Sequence, residues 1–249
     1  MMRAAYFILL LLFGPLILGA DHSAVAGSHR ARAEQRYTSV SGGTIARALS
    51  AIAPRSREDE NRAELRRRIR NAQAGTYIND ILGERDSSLS RWPDRRGEPL
   101  TIWIQPTADI GDFTTSFVAR VRQAFLEWST LNLPVQFAFV DDSTNADVHV
   151  TWIDRFKEPI SGRTRWSRDD DWWITDANIT LAVHHSSGEL LDDDSMRAMA
   201  LHEIGHLLGL DHTRDSMAVM APKVRVRQLS DADRATARLL YALPAGPLR

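Results

Sequence analysis

The chain contains no cysteine. That excludes a disulfide framework, a thiolate metal site and a thiol nucleophile together. Stability has to come from a buried core, which a chain of 249 residues can supply. Net charge is nearly absent too, because 31 Lys and Arg oppose 32 Asp and Glu. No overall field draws the protein to nucleic acid or to an acidic membrane face, so neither is expected as a partner. Lysine is scarce, with only Lys157 and Lys223, and no function follows from that. Also missing is an apolar run long enough to span a bilayer comfortably as a helix. The longest, Tyr6 to Leu18, is interrupted by Gly14 and Pro15 and follows Arg3. It reads as the apolar region of a signal peptide, cut after Ala20 or after Ala26. A buried N-terminal helix and an uncleaved anchor are the alternatives.

Hydrophobic residues make up 43% and charged residues 25%, as in ordinary globular domains, so a core can form. Residues 1–26 are expected to be the signal peptide. Residues 27–89 are expected to be an N-terminal extension or pro-segment, and residues 90–249 one domain. The 27–75 stretch is rich in Arg and poor in aromatics. Within it, Arg57 to Arg70 reads as a helix carrying Glu58–Arg62 and Glu64–Arg68 ion pairs, with Gly75 as its stop. Arg66-Arg67-Arg68 reads as a solvated helix face rather than a nucleic-acid or processing site.

From Pro99 onward the apolar periodicity becomes dense. Leu100 to Ile104 alternates as a strand. Asp112 or Thr114 can cap a helix whose stripe is Phe117, Val121, Ala124, Phe125, Trp128 and Leu131. Val135–Val140, Asp147–Trp152 and Asn178–Val183 read as further strands. Residues 154–176 show no clear period. Asp194 or Ser195 caps a helix to Leu208, and a last helix spans about Asp231 to Ala242. Helices and strands mix, so the class is α/β or α+β.

The chemistry concentrates in residues 202–212, His-Glu-Ile-Gly-His-Leu-Leu-Gly-Leu-Asp-His. His202 and His206, four apart on a helix, lie one turn apart on one face and can aim two imidazoles at one point. Gly209 lets the chain leave the helix in a left-handed conformation and turn back, which brings His212 in as a third ligand. Three neutral nitrogens around one catalytic Zn²⁺ leave a fourth position for water. Glu203, beside the first ligand, is placed to act as the general base on a water that zinc acidifies toward a pKa of ~7.

This extended pattern is a metzincin mark. With it, the sequence resembles the matrixins, the branch that holds the matrix metalloproteinases and their bacterial relatives. Thr213 follows the motif where matrixins carry Ser or Thr. Ala218-Val219-Met220-Ala221-Pro222 is similar to the family's Met-turn, with Met220 beneath the metal, and Leu229-Ser230-x-x-Asp233 leading to Leu240-Tyr241 is similar to its closing helix. The resemblance covers about residues 90–243. It implies a metzincin catalytic domain with a twisted, mostly parallel five-stranded sheet and three helices. It also implies a secreted zinc endopeptidase, with a peptide or protein substrate lying antiparallel to an edge strand, by position Asn178–Val183.

Some residues depart from that pattern. Ala221 and Val224 stand where tyrosines are common, which changes the pocket beside the metal. No histidine lies between Thr151 and Thr180, so a second, structural zinc is not expected. Asp169-Asp170-Asp171 and Asp192-Asp193-Asp194 are candidates for Ca²⁺, the second run reading more simply as charge at a helix N-terminus. His184 and His185 read as surface histidines. A thiol-to-zinc latency cannot operate without cysteine. The expected setting is extracellular or periplasmic, as a monomer with no stable membrane insertion once the signal is removed. The competing reading is a non-catalytic secreted zinc-binding protein on the same fold.

Overall fold

The computed structural model describes residues 57–248. The expected signal peptide, the start of the Arg-rich stretch and the side chains of the Glu58–Arg62 pair lie outside the described residues. Among the described residues, 62–248 pack as one unit.

In chain order the elements are α1 (Arg57–Ala72), α2 (Ile78–Glu84), β1 (Ser88–Leu89), β2 (Arg95–Ile104), α3 (Thr115–Ser129) and β3 (Val135–Val140). Then come β4 (Val148–Ile153), β5 (Gly162–Arg168), β6 (Ile174–Ala182), α4 (Asp193–Leu207), α5 (Asp231–Ala242) and β7 (Gly246–Pro247). On α1, Glu64 pairs with Arg68 at 3.5 Å and with Arg67 at 3.4 Å, an exposed face of the expected kind.

Five strands form one sheet in the order β3-β2-β4-β6-β5. β2 runs parallel to β3 and to β4, β4 runs parallel to β6, and β5 alone is antiparallel, to β6. A two-stranded ladder of β1 and β7 lies apart from it. This is the mixed, mostly parallel sheet that the resemblance to the matrixins implies. Period-two alternation builds it: Leu100, Ile102 and Ile104 of β2, and Val148, Val150 and Trp152 of β4, are buried. The expected stripe on α3 is buried from Phe117 to Trp128, and the Trp128 indole donates to the Leu201 carbonyl of α4 at 3.0 Å. α4 is therefore sandwiched between α3 and the sheet.

Two expectations change. First, β6 is not an edge, because β4 and β5 flank it; the edge is β5, in the stretch where the sequence showed no period. β5 reads Gly-Arg-Thr-Arg-Trp-Ser-Arg, mostly polar on both faces, as an outermost strand can be. Second, the α4 cap is Asp192, whose carboxylate accepts from the Ser195 amide at 2.6 Å. Before residue 90, Ile78, Ile81 and Leu89 have no exposed surface, and Tyr77 and Ile69 are buried with them.

Candidate active site

α4 owes its place to its own composition. Around the histidines, Leu201, Ile204, Leu207 and Leu208 are fully buried, so the helix is anchored on its other faces and presents His202 and His206 to one side. The helix stops where Gly209 takes a φ of +97°. A side chain there would also strike the Ser90 carbonyl, so glycine serves both the turn and the close approach. The chain then doubles back and delivers His212.

The three imidazoles converge, with one ligand nitrogen from each within 4.8 Å of the others. His202 Nε2 lies 3.1 Å from His206 Nε2 and 3.3 Å from His212 Nε2. His202 Nδ1 donates to the Val219 carbonyl at 2.7 Å, and His206 Nδ1 donates to the Leu210 carbonyl at 3.1 Å. A carbonyl can only accept, so in each ring the proton sits on Nδ1 and the Nε2 lone pair is left for a ligand. Lone pairs crowded in this way repel unless a cation lies between them. Tetrahedral bonds of about 2.0–2.1 Å separate ligand nitrogens by roughly 3.3–3.4 Å, so the donor set fits zinc.

Electrostatics agree with that fit. Burial, the largest cause, holds the His202 pKa down at about 4. Burial followed by the two neighbouring imidazoles holds His206 well below its ordinary value. Burial lowers His212 as well, against Asp211 and Glu84, which pull it up. All three are neutral, as ligands must be.

Glu203 sits beside this cluster, 3% exposed. Burial raises its pKa to about 7, against the Thr164 hydroxyl and Arg163, which lower it. Thr164 reaches it from β5: its hydroxyl lies 2.7 Å from Glu203 Oε2 and 2.9 Å from the Glu203 carbonyl. Gly162, at the start of β5, leaves the room the carboxylate occupies; a side chain there would collide with it. Sequence reading did not single out Thr164 or Gly162. The contact spans |i−j| = 39 and has no local signature.

Beneath the histidines, Met220 is fully buried with its sulfur against Gly205, and its carbonyl accepts from the Thr213 amide at 3.0 Å. Met217, the nearby competitor, is 67% exposed. The turn is fixed by Asp233, which is fully buried. Its Oδ2 accepts from the Val219 amide at 2.9 Å, the Ser230 amide at 2.8 Å and the Ser230 hydroxyl at 2.7 Å, and its Oδ1 accepts from the Tyr77 hydroxyl at 3.0 Å. The same Val219 thus links Asp233, through its amide, to His202, through its carbonyl.

Several of the other flagged residues have structural partners. Asp192 caps α4, Asp193 pairs with Arg120 at 3.1 Å, and Asp194 pairs with Arg227 at 2.6 Å. Asp169 accepts from the amides of Asp171 and Trp173 within its own turn. His184 is not a plain surface histidine: its side chain is 12% exposed and is held between Asp154 at 2.8 Å and Asp112 at 3.2 Å. His185 shares a hydrogen bond with Ser161 at 3.0 Å.

Residues 155–242 match the matrixin family model. Among curated proteins, the chain is similar to Metalloendoproteinase 1-MMP of Arabidopsis thaliana, 31% identical over 54% of this chain and 40% of that protein. It is similar to Metalloendoproteinase 1 of Glycine max, 33% identical over 51% of this chain and 44% of that protein. It is also similar to Matrix metalloproteinase-C of Caenorhabditis elegans, 27% identical over 55% of this chain and 24% of that protein. The match therefore spans less than half the length of each of these relatives.

Proposed function

From the premise that this chain carries a matrixin-like metzincin domain, we propose that it is a zinc-dependent endopeptidase in which His202, His206 and His212 hold the ion and Glu203 is the general base. The observation that carries the proposal is the convergence of three neutral imidazoles, two of them with their protons locked on Nδ1, beside a buried carboxylate. When bound, zinc supplies a Lewis acid for water and for the peptide carbonyl.

The chain's own residues do the rest. Glu203, with a proton affinity raised by burial, accepts the proton of the attacking water and returns it to the leaving amine. Thr164 holds Oε2 and so orients the carboxylate. β5 offers an open edge of main-chain donors and acceptors directly beside Glu203. An extended peptide adds to that edge as a further strand, which fixes its main chain while pockets select its side chains. The buried Ala221 and the partly buried Val224, in place of larger rings, shape such a pocket.

The apolar run Tyr6–Leu18 after Arg3 supports export as the setting. No helix among the described residues is long and apolar enough to cross a membrane.

The test compares the 249-residue chain with its Glu203→Ala variant, measuring zinc content and hydrolysis of an unfolded protein substrate. One zinc per chain in both, with hydrolysis only by the unaltered protein, is expected. Equal hydrolysis by the variant would sink the mechanism. Zinc in both forms with no hydrolysis by either would favour the non-catalytic binding protein.

A further inference from the structure

The last turn of α4 leaves carbonyls without intrahelical partners, and side chains from distant parts of the chain take them. The Trp92 indole donates to Leu207 at 2.9 Å, and the Tyr241 hydroxyl donates to Leu208 at 3.1 Å. Arg85, just past the end of α2, takes the next two: Nη1 donates to Gly209 at 3.1 Å and Nη2 to Leu210 at 3.3 Å. Its Nε donates to Asp211 Oδ2 at 2.8 Å. All three guanidinium nitrogens thus serve three consecutive residues leading to His212. The guanidinium also lies 5.2 Å from the ring centre of Trp166 on β5, and the side chain is 11% exposed. On the far side of His212, Asp80 of α2 accepts from the Thr213 hydroxyl at 2.9 Å and the Arg214 amide at 3.2 Å.

We propose that Arg85 and Asp80 are positioning residues for the metal centre, clamping the loop that carries His212 from both sides. The inference rests on the reading of the three histidines as a zinc site. His202 and His206 are fixed by α4 itself, whereas His212 stands on a loop and is the most exposed of the three. A ligand on a free loop has to be ordered each time the ion binds, and that cost lowers affinity. The clamp orders it in advance. Arg85 acts on a second ligand as well, because Leu210, which accepts its Nη2, is also the acceptor that orients His206. Outer contacts that orient ligands in this way change metal affinity by about 10–100-fold. Lysine cannot substitute, since it offers one point charge in place of a planar fork of directed donors.

A purely structural role would tie α2 to the body and change only the stability of the metal-free protein. The experiment therefore reads the metal. The 249-residue chain, Arg85→Lys, Asp80→Ala and His212→Ala are compared by chelator competition for zinc and by the visible spectrum of the cobalt-substituted forms. Thermal unfolding in excess chelator reports folding separately. We expect Arg85→Lys to bind zinc about 10–100-fold more weakly, chiefly through faster release, with an altered cobalt spectrum. Asp80→Ala, which removes the acceptor of both bonds, should shift both in the same direction. If Arg85→Lys does not fold, Asp80→Ala carries the same measurement. Unchanged zinc affinity and cobalt spectra in the folded variants, with His212→Ala impaired, overturn the clamp and leave the metal reading intact. Failure of the unaltered chain to bind zinc overturns the metal reading, and the clamp with it.

Discussion

The hydroxyl of Thr164 lies within hydrogen-bond distance of Glu203 twice over, of Oε2 and of the main-chain oxygen. One side chain on the outermost strand thereby ties the orientation of the carboxylate to the strand along which an extended peptide would lie. Removing a hydrogen bond to a charged group costs roughly 1.5–3 kcal/mol, which corresponds to about a 10–100-fold loss in rate if the bond persists to the transition state. Thr164→Val should therefore lower kcat by about that factor, with KM and zinc content little changed, and Thr164→Ser should restore most of it. Steady-state peptide hydrolysis alongside metal analysis checks this; a Val variant of full activity would refute it.

Gly162 makes a sharper prediction. A methyl group at that position meets the buried Glu203 carboxylate. Gly162→Ala should displace Glu203 and depress kcat more than Thr164→Val does, while the three histidines still take up zinc. Metal content and kcat measured on the same preparation would show it.

Asp233 gathers four hydrogen bonds in a fully buried position. Asp233→Ala leaves the Val219 amide and the Tyr77 hydroxyl without their acceptor, and unsatisfied buried groups cost about 1–3 kcal/mol each. Thermal denaturation should show a large fall in Tm. Zinc affinity should fall too, since the Val219 carbonyl orients His202. Unchanged zinc affinity in a folded variant would separate the two roles and count against the link.

Two buried groups predict opposite pH responses of the metal-free protein. His202 has an ordinary pKa of 6.5 and is held at about 4 in the fold. Between those values the unfolded chain binds the extra proton. Its contribution is complete above pH 6.5 and is lost as pH falls toward 4, by about 3 kcal/mol. Denaturant midpoints in excess chelator should drop over that window, and His202→Asn should flatten the slope.

Glu203 works the other way. Its pKa is raised from 4.5 to about 7, so the unfolded chain releases the proton first. The stabilising effect of the neutral form is whole below pH 4.5 and is lost as pH rises through 7. Metal-free Glu203→Gln should accordingly be more stable than the unaltered protein at pH 8, and the advantage should vanish near pH 4.5. An advantage independent of pH would contradict the burial argument.

The sequence made some of this legible and hid the rest for identifiable reasons. His202, His206 and His212 could be read because helical spacing and a glycine turn encode their convergence locally. β3 and α5 could be read because alternation and a Ser230–Asp233 capping pair mark their limits. β5 was hidden, since arginines at 163, 165 and 168 erase the apolar signal that an inner strand would carry. Its absence made β6 look like an edge. Thr164, Arg85 and Asp80 act on residues 39 to 134 positions away, and no local pattern announces such contacts. The buried Tyr77, Ile78 and Ile81, at the cap and in the first turns of a short helix, carry little sequence signal beside the composition shift at Pro99.

The carbonyls of Leu207, Leu208, Gly209 and Leu210 are gripped by side chains from the beginning and the end of the folded body. Helix ends capped by water fray on their own, far below the global unfolding free energy. This one cannot open without releasing Arg85, Trp92 and Tyr241. Amide protons around the histidines should therefore exchange together with those of the central strands, and heat should dismantle the site and the domain in a single step.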